Sequence, residues 1–152
     1  MGLFSFIADK GAQLFGMKTD AQDNTEKAQK ITEFVTKMGF SVENFTVTVD
    51  DTKATLTGLA DSGVTREKVI LAVGNVEGIS QVDDQLTVSA QTPEAQFYTV
   101  KGGDSLSKIA KEFYGDPMKY PQIFDANKPM LSHPDKIYPG QTLRIPKTEG
   151  LA

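Results

Sequence analysis

The chain has 152 residues, which is enough for one ordinary domain or two small ones. Its 39% hydrophobic and 24% charged residues are typical of a globular protein and exclude a disordered chain. The absence of cysteine excludes disulfides and thiolate metal sites. The net charge is −4, and neither half has the basic excess that binding to phosphate groups requires, which argues against nucleic acid and anionic membranes as partners.

The N-terminal stretch MGLFSFIADKGAQLFGMKTD is rich in apolar residues. Asp9 and Lys10 interrupt the apolar run too early for a secretory signal, and Phe6 stands where a myristoylation pattern requires Ser or Thr. We therefore expect a cytoplasmic protein. Residues 1–21 are predicted to form an amphipathic segment, a short helix that packs on the protein's own core, with a membrane surface or a partner as the alternative. Its apolar side comprises Leu3, Phe4, Ile7, Leu14 and Phe15.

The next segments alternate between helical and strand patterns. TEKAQKITEFVTKMG has helical spacing, with Thr25 as its N-cap and Gly39 at its end. FTVTVDDTKATLTG alternates with a period of two on either side of residues 50–53 and predicts a hairpin with a turn there. SGVTREKVILAVGN predicts a helix capped by Ser62 and ending at Gly74, and VDDQLTV predicts a strand. This order indicates helices on one face of a small sheet.

The second half begins after residues 91–96, whose small and polar residues and proline indicate a linker. FYTVK predicts a strand, Asp104 or Ser105 caps a helix, and a second helix contains Tyr120, Ile123 and Phe124. A turn at Tyr138-Pro139-Gly140-Gln141 then leads into the final strand, QTLRIP.

Catalytic patterns are missing from the sequence. The single histidine, His133, lies in a Ser-His-Pro loop, and no nucleophile elbow, HExxH or P-loop pattern occurs. The acidic pairs Asp50-Asp51 and Asp83-Asp84 could serve acid/base chemistry, but adjacent strand residues point to opposite faces and turn aspartates usually cap or solvate. We therefore expect a protein that is not an enzyme.

Two domain resemblances carry the functional prediction. The first helix, TVTVDDTKATLTG and AVGNVEGISQVDDQL resemble the BON domain over residues 22–90, and YTVKGGDSLSKIA, IFDANK and IYPGQTLRIP resemble the LysM domain over residues 97–147. Together they imply an α+β chain of two small domains, αββαβ and then βααβ. In the second domain, two helices are expected on one side of a two-stranded antiparallel sheet.

The LysM resemblance implies binding of N-acetylglucosamine-containing glycans by the loops after the first strand and before the last. The matching positions are Gly102, Gly103, Asp104, Ser105, Leu106, Asn127, Pro129, Met130 and Ile137. Because no export signal is visible, we favour the hypothesis that these residues maintain the fold and present a surface to protein. A glycan-binding module of the cell envelope is the alternative.

The domain combination resembles the bacterial potassium-binding proteins of the BON–LysM type. That resemblance implies a monomeric K⁺-binding protein that changes conformation as a sensor or buffer, with no protein partner identified. Selective K⁺ sites use neutral backbone carbonyls. The end of VILAVGN, the glycine-containing GNVEG and the segment IADKGAQ can supply them. The positions matching the family pattern are the carbonyls of Ile7, Lys10, Ala12, Gly74, Val76 and Ile79. An ordinary Schellman cap and a fraying N-terminus are the alternative.

Overall fold

The computed structural model of the protein describes residues 2–6, 24–76, 78–91, 95–128 and 130–146, and it divides the chain into two compact units. The first unit, Met1–Thr92, contains β1 (Gly2–Ser5), α1 (Asn24–Lys37), β2 (Val42–Asp50), β3 (Lys53–Ala60), α2 (Gly63–Gly74) and β4 (Gln81–Val88). The second unit, Pro93–Ala152, contains β5 (Gln96–Thr99), α3 (Leu106–Tyr114), a 3₁₀ turn (Pro117–Lys119), α4 (Tyr120–Ala126) and β6 (Thr142–Ile145). The α+β prediction is confirmed: the order αββαβ is found from α1 to β4, preceded by the additional strand β1, and the order βααβ is found in the second unit.

The first unit is built on a four-stranded sheet in the order β1-β4-β3-β2. β2 and β3 form the predicted antiparallel hairpin, whereas β3 and β4 are parallel because α2 connects them. Alternate residues of β2, β3 and β4 are buried, which gives the sheet one covered face: Val47, Val49, Ala54, Leu56, Val82 and Leu86. Helices α1 and α2 contact this sheet and each other. The core of the unit therefore lies between one sheet face and two helices.

Helix α2 begins and ends where the sequence predicts. The Ser62 hydroxyl accepts a hydrogen bond from the Thr65 amide at 3.3 Å, and the helix ends at Gly74. Every residue from Val69 to Gly74 is buried, so this half of the helix is apolar on all sides rather than amphipathic.

The N-terminal prediction of a helix is wrong for residues 2–5. These residues form an edge strand that pairs antiparallel with β4, from Gly2 opposite Asp84 to Ser5 opposite Gln81. The open edge of β4 offers unpaired amides and carbonyls, and β1 satisfies them. The alternation of exposed Leu3 and half-buried Phe4 fits a strand period that a helical reading overlooks. The other apolar positions of that prediction, Ile7, Leu14 and Phe15, lie outside the described residues.

Helix α1 also differs at its start. It begins at Asn24, so Thr25 lies in the first turn and is not the N-cap. The Asn24 side chain instead accepts a hydrogen bond from the amide of Asp51 at 3.0 Å, which ties the start of α1 to the β2–β3 turn. The end of α1 is as predicted, since Gly39 follows it with a φ of 82°.

The second unit packs its two α-helices with the β5–β6 pair. Leu106 and Ile109 of α3 and Ile123 of α4 form one buried cluster with Leu143 of β6. Ser105 is the N-cap of α3, since its hydroxyl accepts the Lys108 amide at 3.2 Å.

The predicted turn before β6 is present in the second unit. The Gln141 amide donates to the Tyr138 carbonyl at 3.1 Å, and Gly140 has a φ of 94°, as a type II turn requires.

Within the part of the chain that the structure describes, no helix is long and apolar enough to cross a membrane.

Candidate functional site

One corner of the first unit brings together the end of β1, the end of α2 and the β2–β3 turn. The Phe6 amide, directly after β1, donates to the Ser80 carbonyl at 2.8 Å. The Ser80 amide in turn donates to the Thr52 carbonyl at 2.9 Å, and the two hydroxyls are 2.8 Å apart. This corner therefore contains the segment from Gly74 to Ser80, in which three of the predicted carbonyl ligands lie.

Two of these carbonyls, one at the end of α2 and one in the segment that follows it, accept no hydrogen bond from the amides that the structure describes. The amide and the side-chain amide of Asn75 both donate to the Leu71 carbonyl, at 3.0 and 2.9 Å. The Val76 carbonyl accepts the Ile79 amide at 3.1 Å, but no described amide donates to the carbonyl of Gly74 or of Ile79. Since buried carbonyls are almost always paired, a ligand at this corner would complete them.

The electrostatics of this position favour a cation. Gly74 is the last residue of α2, and the C-terminal end of a helix carries a partial negative charge from its aligned peptide dipoles. Gly74, Val76 and Ile79 are all buried, which strengthens the attraction between a cation and these carbonyl oxygens.

A glycine turn shapes the segment. Gly78 has a φ of 100°, as expected for a glycine that lets the backbone curl between Val76 and Ile79. The Schellman alternative is wrong, because Asn75, which follows the helix, has a φ of −86° rather than the left-handed conformation that such a cap requires.

Gly74 is needed for space and not for its backbone angles. A Cβ atom at this position would lie 2.2 Å from Cζ of Phe6 and 2.3 Å from both of its Cε atoms, so the ring points end-on at the Gly74 backbone. Sequence reasoning did not identify Phe6 as part of this corner. The available signal was a glycine at the end of the apolar second half of a helix, which indicates close approach by another group.

The remaining predicted ligands, Ile7, Lys10 and Ala12, lie outside the described residues. The described side of the site therefore consists of Gly74, Val76 and Ile79.

The acidic residues do not form a metal-binding cluster within the described ranges: no three or more histidine, aspartate or glutamate side chains come together there. Asp84 is fully buried and accepts a hydrogen bond from Nε of Arg66 at 2.8 Å, while the neighbouring Asp83 is partly exposed on the other face of β4. Asp51 forms the hairpin turn, and its carbonyl accepts Nζ of Lys27 at 3.2 Å. The Asp84 carboxylate thus has a structural role, and Asp51 contributes to the turn through its main chain. The proposed ligand atoms at the corner are neutral carbonyl oxygens.

The second unit contains a cleft of about 250 Å³ between α3 and the loop that precedes β6. It is lined by Ser105, Leu106, Ser107, Tyr120, Pro134 and Asp135. Ser105 and Leu106 are predicted glycan contacts, but the opposing loop contributes Pro134 and Asp135, which sequence reasoning did not select. Leu106 is also a core residue, with 2% of its surface exposed.

The other predicted glycan positions divide into an exposed loop and a set with internal contacts. Gly102 and Gly103 are exposed. Asn127 is buried, and its amide group bonds with the Ile123 carbonyl and with both the amide and the carbonyl of Arg144. Ile137 and Met130 are partly buried against the core, and Pro129 lies outside the described residues. Asn127 therefore joins α4 to β6 and is not available to a ligand.

Asp104 is held in place from two sides. Its Oδ2 accepts the Tyr98 hydroxyl at 2.6 Å and the Lys101 amide at 2.9 Å. The hydrogen bond to Asp104, followed by burial, raises the pKa of Tyr98 from 10.0 to about 12, and the same bond lowers the pKa of Asp104. The carboxylate thus fixes the loop after β5.

Comparison with known proteins places both domains. The BON domain model matches residues 23–90, and the LysM domain model matches residues 98–146. The chain is 47% identical to the potassium binding protein Kbp of Escherichia coli O6:H1, strain CFT073, over 148 residues, which is 97% of this chain and 99% of that protein.

Two further relatives match shorter parts of the chain. An uncharacterized protein of Deinococcus radiodurans R1 is 61% identical over 49 residues, 32% of this chain and 19% of that protein. The uncharacterized protein YqbP of Bacillus subtilis 168 is 41% identical over 59 residues, 33% of this chain and 27% of that protein. Because the match to Kbp runs over nearly the full length of both chains, this protein belongs to the family of the potassium binding protein Kbp, with a BON domain followed by a LysM domain.

Proposed function

We propose that this protein binds K⁺ selectively through main-chain carbonyls at the corner of its BON domain. The observation that carries the proposal is that neither the carbonyl of Gly74, the last residue of α2, nor that of Ile79, in the segment after the helix, accepts a hydrogen bond from a described amide. The relative from Escherichia coli is a protein named for potassium binding, which supports the choice of ion. We further propose that the protein acts in the cytoplasm as a sensor or buffer of the ion, as a monomer and not as an enzyme.

The donor chemistry supports a monovalent cation. Carboxylates favour smaller or divalent cations, whereas a large and weakly hydrated ion is bound by several neutral carbonyls. On the described side, Gly74, Val76 and Ile79 would hold the ion. The carbonyls of Ile7, Lys10 and Ala12 are proposed to complete the coordination from the N-terminal segment.

A conformational response follows if the ligands come from two segments. An ion shifts an equilibrium only by its different affinity for the two states, so K⁺ favours the arrangement in which both segments are close together. The bound ion adds RT ln(1 + [L]/Kd) to the free energy of unfolding, about 2.7 kcal/mol when its concentration is a hundred times Kd.

Thermal unfolding in KCl and in NaCl at equal ionic strength tests this proposal. We expect the unfolding temperature to rise with KCl and to remain unchanged with NaCl. Deletion of residues 1–12 should abolish the response, whereas Lys10→Ala should preserve it because the ligand would be a main-chain oxygen. A truncated protein that folds and still gains the full stabilisation from KCl alone would contradict the proposed set of ligands.

A second candidate function rests on the LysM domain. The cleft at Ser105 and Leu106 opens between the two loops that the family uses for N-acetylglucosamine-containing glycans. Binding of glycan there would place the protein at the cell envelope, so the location of the protein in the cell distinguishes the two functions.

A further inference from the structure

We propose that Phe6 is a positioning residue for ion binding, and that its contact with Gly74 couples the docking of β1 to occupation of the site. This inference rests on the proposed function. It adds a residue that supplies no ligand atom but fixes the start of the N-terminal segment against the end of α2.

The contact is specific to a glycine. Because a Cβ atom at position 74 would lie 2.2 Å from the tip of the Phe6 ring, no other residue fits there while the ring is in place. The φ of Gly74 is not in the left-handed region, so backbone conformation gives no separate reason for a glycine. The ring thus fills the space that a side chain at position 74 would occupy, next to one of the proposed ligands.

Phe6 also connects the other parts of the corner. Its amide donates to the Ser80 carbonyl at 2.8 Å, and Ser80 is bound to Thr52 of the hairpin turn. The segment proposed to supply Ile7, Lys10 and Ala12 starts at the next residue of the chain. Whatever holds Phe6 therefore decides where that segment begins.

β1, the strand that precedes Phe6, has few contacts that hold it on the sheet. β1 has four residues at the edge of the sheet, β4 is the one strand it pairs with among the described residues, and 56% of the surface of Leu3 is exposed. Short edge strands with few buried contacts open at low free energy. The packing of the Phe6 ring against Gly74 is an apolar contact that would keep the strand docked. An ion that bridges the two segments would be stabilised by that docking.

The experiment is a double-mutant cycle read by K⁺ titration of the full-length protein. Phe6→Ala should raise the Kd for K⁺ roughly tenfold, in line with the loss of one apolar contact. Gly74→Ala should weaken binding at least as much, because its methyl group displaces the ring. In the Phe6→Ala background, Gly74→Ala should cost little more, since the clash has been removed.

Two controls separate positioning from general stability. Leu3→Ala changes an exposed residue of the same strand and should leave the Kd unchanged, whereas Phe6→Leu should recover part of the affinity. Hydrogen exchange at the amide of residue 6 should slow when K⁺ is added to the wild type, and this slowing should be lost in Phe6→Ala.

The outcomes are distinguishable. A wild type with no K⁺-selective binding refutes the proposed function and this inference with it. A wild type that binds K⁺, together with Phe6→Ala and Phe6→Leu variants that bind it equally well, overturns the inference while the proposed function stands. Independent, additive losses from Phe6→Ala and Gly74→Ala would also overturn it, because the contact would then not be the coupling element.

Discussion

Replacing Gly78 by valine is expected to weaken K⁺ binding by distorting the turn between two proposed ligands. Gly78 has a φ of 100°, a conformation that a β-branched residue avoids. Holding a residue other than glycine there costs about 1–3 kcal/mol. If the variant relieves this strain by moving the Val76 and Ile79 carbonyls out of place, the Kd for K⁺ rises by about 5- to 150-fold.

The assay is a KCl titration followed by amide chemical shifts, with urea unfolding measured in parallel. The matched control is Gly103→Val, because Gly103 has a φ of 87° in the second unit and open space around its missing Cβ. This control should lose a similar amount of stability and keep the wild-type Kd. The reasoning would be refuted if Gly78→Val bound K⁺ as tightly as the wild type, or if both variants lost affinity equally.

Three other predictions concern the rest of the chain. Arg66→Ala leaves the fully buried Asp84 carboxylate without its ion pair and should lower the free energy of unfolding by about 3–5 kcal/mol. Adding Asp84→Asn should recover part of this loss in urea unfolding, and an Arg66→Ala variant as stable as the wild type would contradict a stabilising role for the ion pair. Tyr98→Phe should cost about 1 kcal/mol. In the folded state the pKa of Tyr98 is raised from 10.0 to about 12 and that of Asp104 is lowered from 3.8. In a pH series of unfolding curves, the stability difference between wild type and Tyr98→Phe should therefore be constant near neutral pH and should shrink both as pH rises from 10 towards 12 and as pH falls below about 4. A stability difference that does not depend on pH would exclude the hydrogen bond as its source. Millimolar N-acetylglucosamine oligomers should leave the amide signals of Gly103 and Asp104 unchanged, and saturable shifts of these signals would support glycan binding by the LysM domain.

Most of the fold could be predicted because local patterns and tertiary structure agree. The alternation around residues 50–53 and the cap at Ser62 each specify an element without help from distant residues. The same holds for the Tyr138–Gln141 turn, where Gly140 supplies the positive φ.

β1 could not be predicted from its own residues. Four residues are too few to reveal a period, and their conformation is decided by the open edge of β4, which is far away in the sequence. Leu3 and Phe4 fit a helical face as well as a strand, and only pairing with Asp83 and Val82 resolves the ambiguity.

Only the features of the candidate site that depend on neighbouring residues could be predicted from the sequence. Helix geometry explains why free carbonyls are expected at the end of α2, near Gly74. Val76 and Ile79 lie beyond the helix and were selected because they match the family pattern; all three remain predictions as ligands. The Phe6 contact could not be predicted, because it depends on a ring and a missing side chain that meet only when β1 is docked. Asn127 shows the opposite case, because sequence reasoning selected a residue whose side chain is occupied by internal hydrogen bonds. Its residue type suits a ligand contact, but its amide is engaged with Arg144 and Ile123.

The central claim, selective binding of K⁺, is tested most directly by calorimetric titration of protein dialysed free of monovalent cations, with KCl and with NaCl at the same ionic strength. The account predicts saturable heat with KCl and only dilution heat with NaCl. Equal responses to the two salts would mean that the ions merely screen the acidic surface of a chain with a net charge of −4, and the claim would be contradicted.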